Sequence, residues 1–105
     1  MSAKYKVSGK DWEGYVYGSC PVEGLGIVDG HYWYFKARFN KWSMKIADEE
    51  KDETPIPLSE INKISNGEGW LIREKFGENF EASHMKPSIA QDFIKYSIEC
   101  FREGK

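Results

Sequence analysis

The sequence predicts an α+β domain, in which an antiparallel β-meander of three to five strands carries a C-terminal amphipathic helix packed on one face. Three observations predict this class: alternating apolar residues over 22–48, a strong hairpin turn at Asp29-Gly30, and an apolar stripe of helical period over 88–103. The 105 residues are expected to form one domain, 1–105, which is large enough to bury a core without metal or disulfide support.

The first twenty residues contain two short patches rich in Tyr and Val, Lys4–Val7 and Gly14–Gly18. Branched and aromatic side chains suit a pleated surface, so these patches predict one or two short strands.

Two candidate turns set the register of the strands that follow. Asp29-Gly30 fits a type I′ turn, which needs positive φ at both central residues, and Asn40-Lys41 is a weaker candidate of the same kind. The predicted three-stranded meander consists of Val22–Val28, His31–Phe39 and Trp42–Asp48.

Alternation along this meander separates a core face from an outer face. On the core face, large rings fall opposite glycines, as in the pair Gly26–Trp33, and cover otherwise bare backbone. The core face takes Val22, Gly24, Gly26, Val28, His31, Trp33, Phe35, Ala37, Phe39, Trp42, Met44, Ile46 and Asp48. The outer face takes Glu23, Leu25, Ile27, Tyr32, Tyr34, Lys36, Arg38, Ser43, Lys45 and Ala47. There Lys36 is expected opposite Lys45, an unfavourable pair of like charges unless water or an anion lies between them.

The segments after the meander are short. The stretch 48–57 is charged and broken by prolines, which predicts a solvated loop. Leu58, Ile61 and Ile64 have the spacing of one or two helical turns. A turn at 66–69, an edge strand at 70–76 and a loop at 77–86 complete this part.

The C-terminal segment predicts a helix. Ser88 and Gln91 form a capping box after Pro87, and Gly104 offers a stop. The apolar arc of this helix comprises Ile89, Ala90, Phe93, Ile94, Ser97, Ile98, Cys100 and Phe101. An arc of this width must lie against an apolar surface, and the core face of the meander is the expected one.

Composition narrows the class of protein. A chain with 40% hydrophobic and 30% charged residues is neither a disordered chain nor a membrane-spanning one. Met1–Lys6 lacks the apolar stretch of a secretory signal, so Cys20 and Cys100 are expected to be reduced in the cytoplasm, although a disulfide between them is left open. The net charge of the chain is −2, but residues 1–47 hold seven Lys/Arg against four Asp/Glu. This uneven distribution indicates either ordinary solvated charges or a polarised binding surface.

Catalytic and metal-binding signatures are weak. His31, His84, Cys20 and Cys100 lack the closely spaced pairs typical of zinc ligands, and no neighbour suggests an activated thiol. We expect no catalytic residues, no metal site and no cofactor.

Two stretches resemble a pattern in small uncharacterised bacterial and phage proteins. The first runs from Gly26 to Arg38 (GIVDGHYWYFKAR) and is followed by Trp42-Ser43; the second is Met85-Lys86-Pro87 with Ala90 and Ile94. The resemblance implies a stand-alone domain of prokaryotic or phage origin, and it implies no particular activity.

The function predicted from these features is non-catalytic protein binding, as by an immunity protein or a phage-encoded inhibitor of a bacterial defence enzyme. Acidic loops would steer such a domain to a basic surface of a defence enzyme or toxin, and exposed rings would anchor it. The candidate partner-binding residues are Tyr32, Tyr34, Lys36, Arg38, Lys45, Glu49, Glu50, Asp52, Glu53 and Trp70.

A second hypothesis is a single-stranded nucleic-acid binder. The outer face combines rings with cations, which is the chemistry that such binders use, at Tyr32, Tyr34, Lys36, Arg38, Lys41 and Lys45. If the N-terminal residues leave the two tyrosines uncovered, the same patch could instead form a homodimer. No membrane partner is expected.

Overall fold

A computed structural model describes residues 4–51, 53–66, 69–78 and 81–104. Within these residues the fold is α+β: six antiparallel strands follow one another in sequence order across one sheet, where the sequence predicted three to five. The strands are β1 (Lys4–Gly9), β2 (Trp12–Tyr17), β3 (Val22–Val28), β4 (His31–Arg38), β5 (Lys41–Glu50) and β6 (Trp70–Lys75). The helices are α1 (Leu58–Ser65), a 3₁₀ helix (Glu81–His84) and α2 (Pro87–Arg102).

The hairpin between β3 and β4 forms as predicted. Asp29 and Gly30 have φ values of 49° and 81°, and the turn pairs Gly26 with Trp33 across the two strands. The predicted short helix at α1 and the predicted edge strand at β6 are also confirmed.

The turn between β4 and β5 differs from the prediction. It comprises Phe39 and Asn40 rather than Asn40 and Lys41, since Arg38 pairs with Lys41, and Phe39 is 49% exposed instead of lying in the core. The 3₁₀ helix holds this turn: the Phe39 N–H donates to Ser83 Oγ at 2.7 Å, and the Phe39 carbonyl accepts from the Ala82 N–H at 2.8 Å. These contacts join distant parts of the chain, so local turn propensity did not reveal them.

The shifted turn moves the partners of Trp33–Arg38 on β5 by two residues, and a register shift between His31 and Trp33 ends this offset. Lys36 therefore pairs with Ser43, and Tyr34 pairs with Lys45, so the predicted Lys36–Lys45 pair is wrong. A shift of two leaves the side chains of Trp33–Arg38 on their predicted faces, because the period of a strand is two residues. Strand β5 also extends to Glu50, beyond the predicted start of the loop at 48.

The main core lies between the core face and α2, as predicted. Trp33 and Phe35 are fully buried there, and Trp42 stacks on Phe93 of α2 with ring centroids 4.7 Å apart. On the helix, the predicted arc is buried at Ala90, Ile94, Ser97 and Ile98 and half-buried at Ile89, Phe93, Cys100 and Phe101.

The ends of α2 show one error and one success of the sequence analysis. Lys86 is the N-cap and makes no side-chain cap bond, so the predicted Ser88–Gln91 capping box is wrong. Pro87, whose fixed φ already suits a helix, is the first helical residue and places Ser88 inside the first turn. Gly104, with a φ of 76°, lies just past the helix end as expected.

A second, smaller core lies on the outer face. Tyr32 and Tyr34 are 0% and 7% exposed there, in contact with Ile64 of α1, and Leu25 and Ile27 pack around them. The expectation that these two rings are exposed is wrong, because α1 crosses back over the outer face and covers them.

Candidate functional site

The outer face of the sheet is divided into a covered zone and two open ones. Helix α1 covers the middle, over β4 and β5. On one side a groove lies over β1–β3, and on the other a group of cations lies over β4–β6.

In the covered zone, the two tyrosines make internal contacts. The Tyr32 hydroxyl donates to the Glu53 carbonyl at 3.1 Å, and the Tyr34 hydroxyl donates to the Glu23 carboxylate at 2.8 Å. Burial, followed by the hydrogen bond to Glu23, raises the pKa of Tyr34 well above its usual value of 10. Rings held in this way cannot stack on a base or anchor a partner, so both predicted roles of Tyr32 and Tyr34 need correction.

Lys45 also makes a structural contact. Its Nζ donates to the carbonyl of Ser65 at 2.7 Å, where it satisfies an acceptor at the C-terminal end of α1. Burial lowers the pKa of Lys45, and the nearby charges of Arg73 and Lys36 lower it further. Lys45 therefore fixes α1 to β5, and its proximity to two other cations marks the start of a positively charged zone.

We call this zone the basic cluster: Lys36, Arg38, Lys41 and Arg73. Its four side chains line a shallow cavity of about 280 Å³ together with Ser43 and Trp42. None of the four forms an ion pair within the described ranges, whereas Lys75 beside them reaches Glu78 at 4.0 Å. The basic surface predicted at Lys36, Arg38 and Lys41 thus has one further member, Arg73, that the sequence analysis did not include.

The outer groove is the other open zone. Its floor is formed by Tyr15, Tyr17, Leu25 and Ile27, and its volume is about 350 Å³. One wall is the segment 54–56 with Ile61 of α1, and the rim carries Lys4, Lys6 and Glu13. Tyr15 is 47% exposed, and Lys4 Nζ lies 5.9 Å from the centroid of its ring. An apolar floor with a mostly basic rim is suited to a ligand with apolar side chains and flanking acidic groups.

The predicted acidic residues lie at the opposite end of β5 from the basic cluster. Glu49 lies 3.5 Å from Lys51, Glu50 lies 3.8 Å from His31, and Glu53 is exposed. Asp52 lies outside the described residues. Lys51 also bonds Glu60 of α1 at 2.6 Å, and this hydrogen bond lowers the pKa of Glu60. Of the predicted acidic residues, Glu49 is therefore paired with a lysine, whereas the other described ones have no lysine or arginine partner among the described residues.

Trp70 is not an exposed anchor. It is half-buried against the main core, with its ring 5.7 Å from that of Phe101 in an edge-to-face arrangement. It begins β6, so its ring fixes the edge strand to α2.

The histidines and cysteines are dispersed. His31 Nδ1 lies 2.8 Å from the Ala47 carbonyl, His84 is exposed, and Cys20 and Cys100 are free thiols. Among the residues that the structure describes, no three His, Cys, Asp or Glu side chains are grouped so that they could hold a metal ion. No helix in the described ranges has the length and apolar character needed to cross a membrane.

Comparison of the chain with models of protein families, with curated proteins and with solved structures finds no match. The resemblance to small bacterial and phage proteins stays a prediction.

The sequence analysis missed the outer groove, although a signal was present. Tyr15 and Tyr17 alternate with Val16, which places them on the same face as Leu25 and Ile27 once β2 pairs with β3. The pairing Tyr15–Leu25 depends on the turn between those strands, which has no strong sequence signature.

Proposed function

We propose that this chain is a non-catalytic protein-binding domain that occludes a surface of its partner, as an immunity protein or a phage-encoded inhibitor of a defence enzyme does. The observation that supports the proposal is the outer groove, which exposes apolar side chains on a sheet whose other face packs against α2. The two free thiols fit a reducing compartment such as the cytoplasm.

The chemistry of the groove favours a protein ligand. Tyr15 presents a large ring with few rotatable bonds, which is the type of side chain that contributes most to protein interfaces. Leu25 and Ile27 lie half-buried beside it, ready to be fully desolvated by an apolar side chain of the partner. Lys4 and Lys6 on the rim would attract an acidic flank and set its orientation.

The test compares two tyrosines on adjacent strands. Tyr15 faces the groove, whereas Tyr5 on β1 points to the opposite face and has a similar exposure, 51% against 47%. Tyr15→Ser should weaken binding of the partner by roughly thirty-fold or more, as loss of a central anchor does, while Tyr5→Ser should change it little.

The measurement begins with proteins retained from a lysate of the source cells by the wild-type domain. The affinity of each retained protein for the wild-type and the two variants is then determined by titration. A partner that binds the two variants equally would contradict a role for the groove. Absence of any protein that distinguishes them would contradict the proposed function.

A further inference from the structure

The basic cluster forms a second open surface, separate from the groove. We propose that it binds the phosphate backbone of a single-stranded nucleic acid, with the ring of Phe39 stacking on a base. This inference is independent of the proposed function, because it uses a different part of the outer face.

The cations form a two-dimensional array. Lys36, Ser43 and Arg73 are direct partners across β4, β5 and β6, and Lys41 lies in the next row between Arg38 and Lys75. Neighbouring strands are about 4.8 Å apart, so the cations surround one shallow cavity rather than forming a line. The hydroxyl of Ser43 in its floor adds a neutral donor, as is common at phosphate contacts.

Within the described residues, the cations of this array form no ion pairs. The whole chain carries a net charge of −2, yet Lys36, Arg38, Lys41 and Arg73 have no ion-pair partner in the part of the chain that the structure describes. Glu23 lies opposite Lys36 on β3 and accepts a hydrogen bond from Tyr34; its carboxylate keeps its negative charge, so it can offset part of the charge of Lys36. A polyanion would supply the missing charge, and it would release counterions when it binds.

Phe39 distinguishes a nucleic acid from an acidic peptide. Its φ is 59°, a conformation that is unfavourable for a bulky residue, and its ring is nevertheless half exposed at the tip of the turn. The guanidinium of Arg38 lies over this ring, 4.7 Å from its centroid. Carboxylates and phosphates would both satisfy the cations, but a stacked ring and guanidinium next to them suit the flat face of a base.

The test is a binding assay with a fluorescently labelled thymidine dodecamer, measured by anisotropy at several salt concentrations. Four phosphate contacts on a single strand predict a slope of log K against log salt of about −2.8, which is an affinity loss of about 50-fold between roughly 50 and 200 mM salt. The double variant Lys41→Gln/Arg73→Gln should halve this slope. The matched control Lys86→Gln/Lys95→Gln removes the same charge from two exposed positions at α2, on the opposite side of the sheet, and should keep the wild-type slope.

The role of the ring is tested with Phe39→Gly, because glycine adopts a φ of 59° without strain. This variant should bind the oligonucleotide about 5- to 150-fold more weakly, as expected for one lost stacking contact, and should keep the wild-type midpoint of thermal unfolding within a few degrees. Phe39→Asn provides a second variant for the same comparison.

Three results would overturn the proposal. The first is no detectable binding at about 50 mM salt, where phosphate contacts are strong. The second is an equal loss of affinity in the Lys86/Lys95 control, which would place binding elsewhere. The third is that a polyglutamate peptide of equal charge competes as well as an unlabelled oligonucleotide, and that the affinity of this peptide is unchanged by Phe39→Gly. This result would assign the cluster to an acidic protein.

Discussion

Replacing Gly26 by alanine should destabilise the sheet by about 2 kcal/mol, because β3 leaves no room for a methyl group under Trp33. A Cβ at Gly26 would lie 2.5 Å from Cε2 and Cζ2 of the Trp33 ring, and closer still to the backbone oxygen of Glu13 on β2. Trp33 is fully buried and meets Trp12 edge-on at 6.4 Å, so it cannot turn aside freely.

The magnitude follows from these distances. Carbon atoms reach favourable contact at about 3.5 Å, so the ring or the two strands would have to move by about 1 Å. Overpacking of this kind costs about 1–3 kcal/mol, and we take the upper end because one of the obstructing atoms belongs to the backbone. The lower conformational entropy of alanine in the unfolded chain offsets about 0.4–1 kcal/mol. For a domain of this size the net change corresponds to a fall in Tm of about 10 °C.

Gly24→Ala is the matched control on the same strand and the same face. Its Cβ would lie 3.1 Å from Trp33 Cζ3 and 3.2 Å from the Tyr15 oxygen, distances that an adjustment of a few tenths of an ångström relieves. We therefore expect a change of less than about 1 kcal/mol. The assay is urea unfolding followed by tryptophan fluorescence and circular dichroism. Equal losses in the two variants, or no loss for Gly26→Ala, would refute the account of Trp33 packing on a glycine floor.

Three further changes have expected outcomes of their own. Arg102 donates two bonds of 2.8 Å to the Asp29 carboxylate and thereby lowers its pKa, so the pair stabilises the fold above the unfolded pKa of Asp29 and loses this contribution as pH falls through the folded pKa. In urea titrations Arg102→Gln should therefore cost about 0.5–1 kcal/mol at pH 7, a range reduced for the exposure of the pair, and less below about pH 4. The pKa of Tyr34 is raised in the folded chain, so Tyr34 ionises first in the unfolded chain and the free energy of unfolding should fall above about pH 10. Tyr34→Phe leaves Glu23 in place and removes this ionisable group, so it should reduce the fall. Ser83→Ala removes the buried acceptor of a turn N–H and should cost about 1–2 kcal/mol in thermal unfolding, whereas Ser83→Thr should retain part of it.

The faces of the strands could be predicted because alternation has a period of two residues. Trp33 and Phe35 point to α2 even though the turn after β4 was placed one residue too late. An error of this size exchanges partners but leaves the faces unchanged. The alternation of apolar residues was thus a more robust signal than the identity of the turn.

The sequence did not indicate which segment of the chain covers Tyr32 and Tyr34. Leu25 and Ile27 on the same face indicated that part of this face is apolar, and the short helix at α1 has an apolar side of its own. Which segment covers the face depends on the path of the chain after Glu50, and that path is set by long-range contacts such as the bond between Lys51 and Glu60. Local sequence patterns contain no record of such contacts.

The candidate sites were predicted in part for the same reason. Lys36, Arg38 and Lys41 were assigned to a basic surface from the predicted meander, but Arg73 joins them only through the register of β6. A group of charges on different strands can be recognised only when the strand pairing is known. Charges that alternate along a single strand can be recognised from the sequence itself.

At Phe39 the backbone conformation that the fold requires differs from the one that a phenylalanine prefers. Glycine would adopt its φ without strain, whereas Phe39 holds a half-exposed aromatic ring there. The fold nevertheless holds this residue in place with bonds from both Ala82 and Ser83 to its backbone. Strain that is maintained by long-range contacts, beside a group of unpaired cations, is characteristic of a ligand site. The proposed stacking of Phe39 on a base would account for a bulky residue at this position, and Phe39→Gly tests that role.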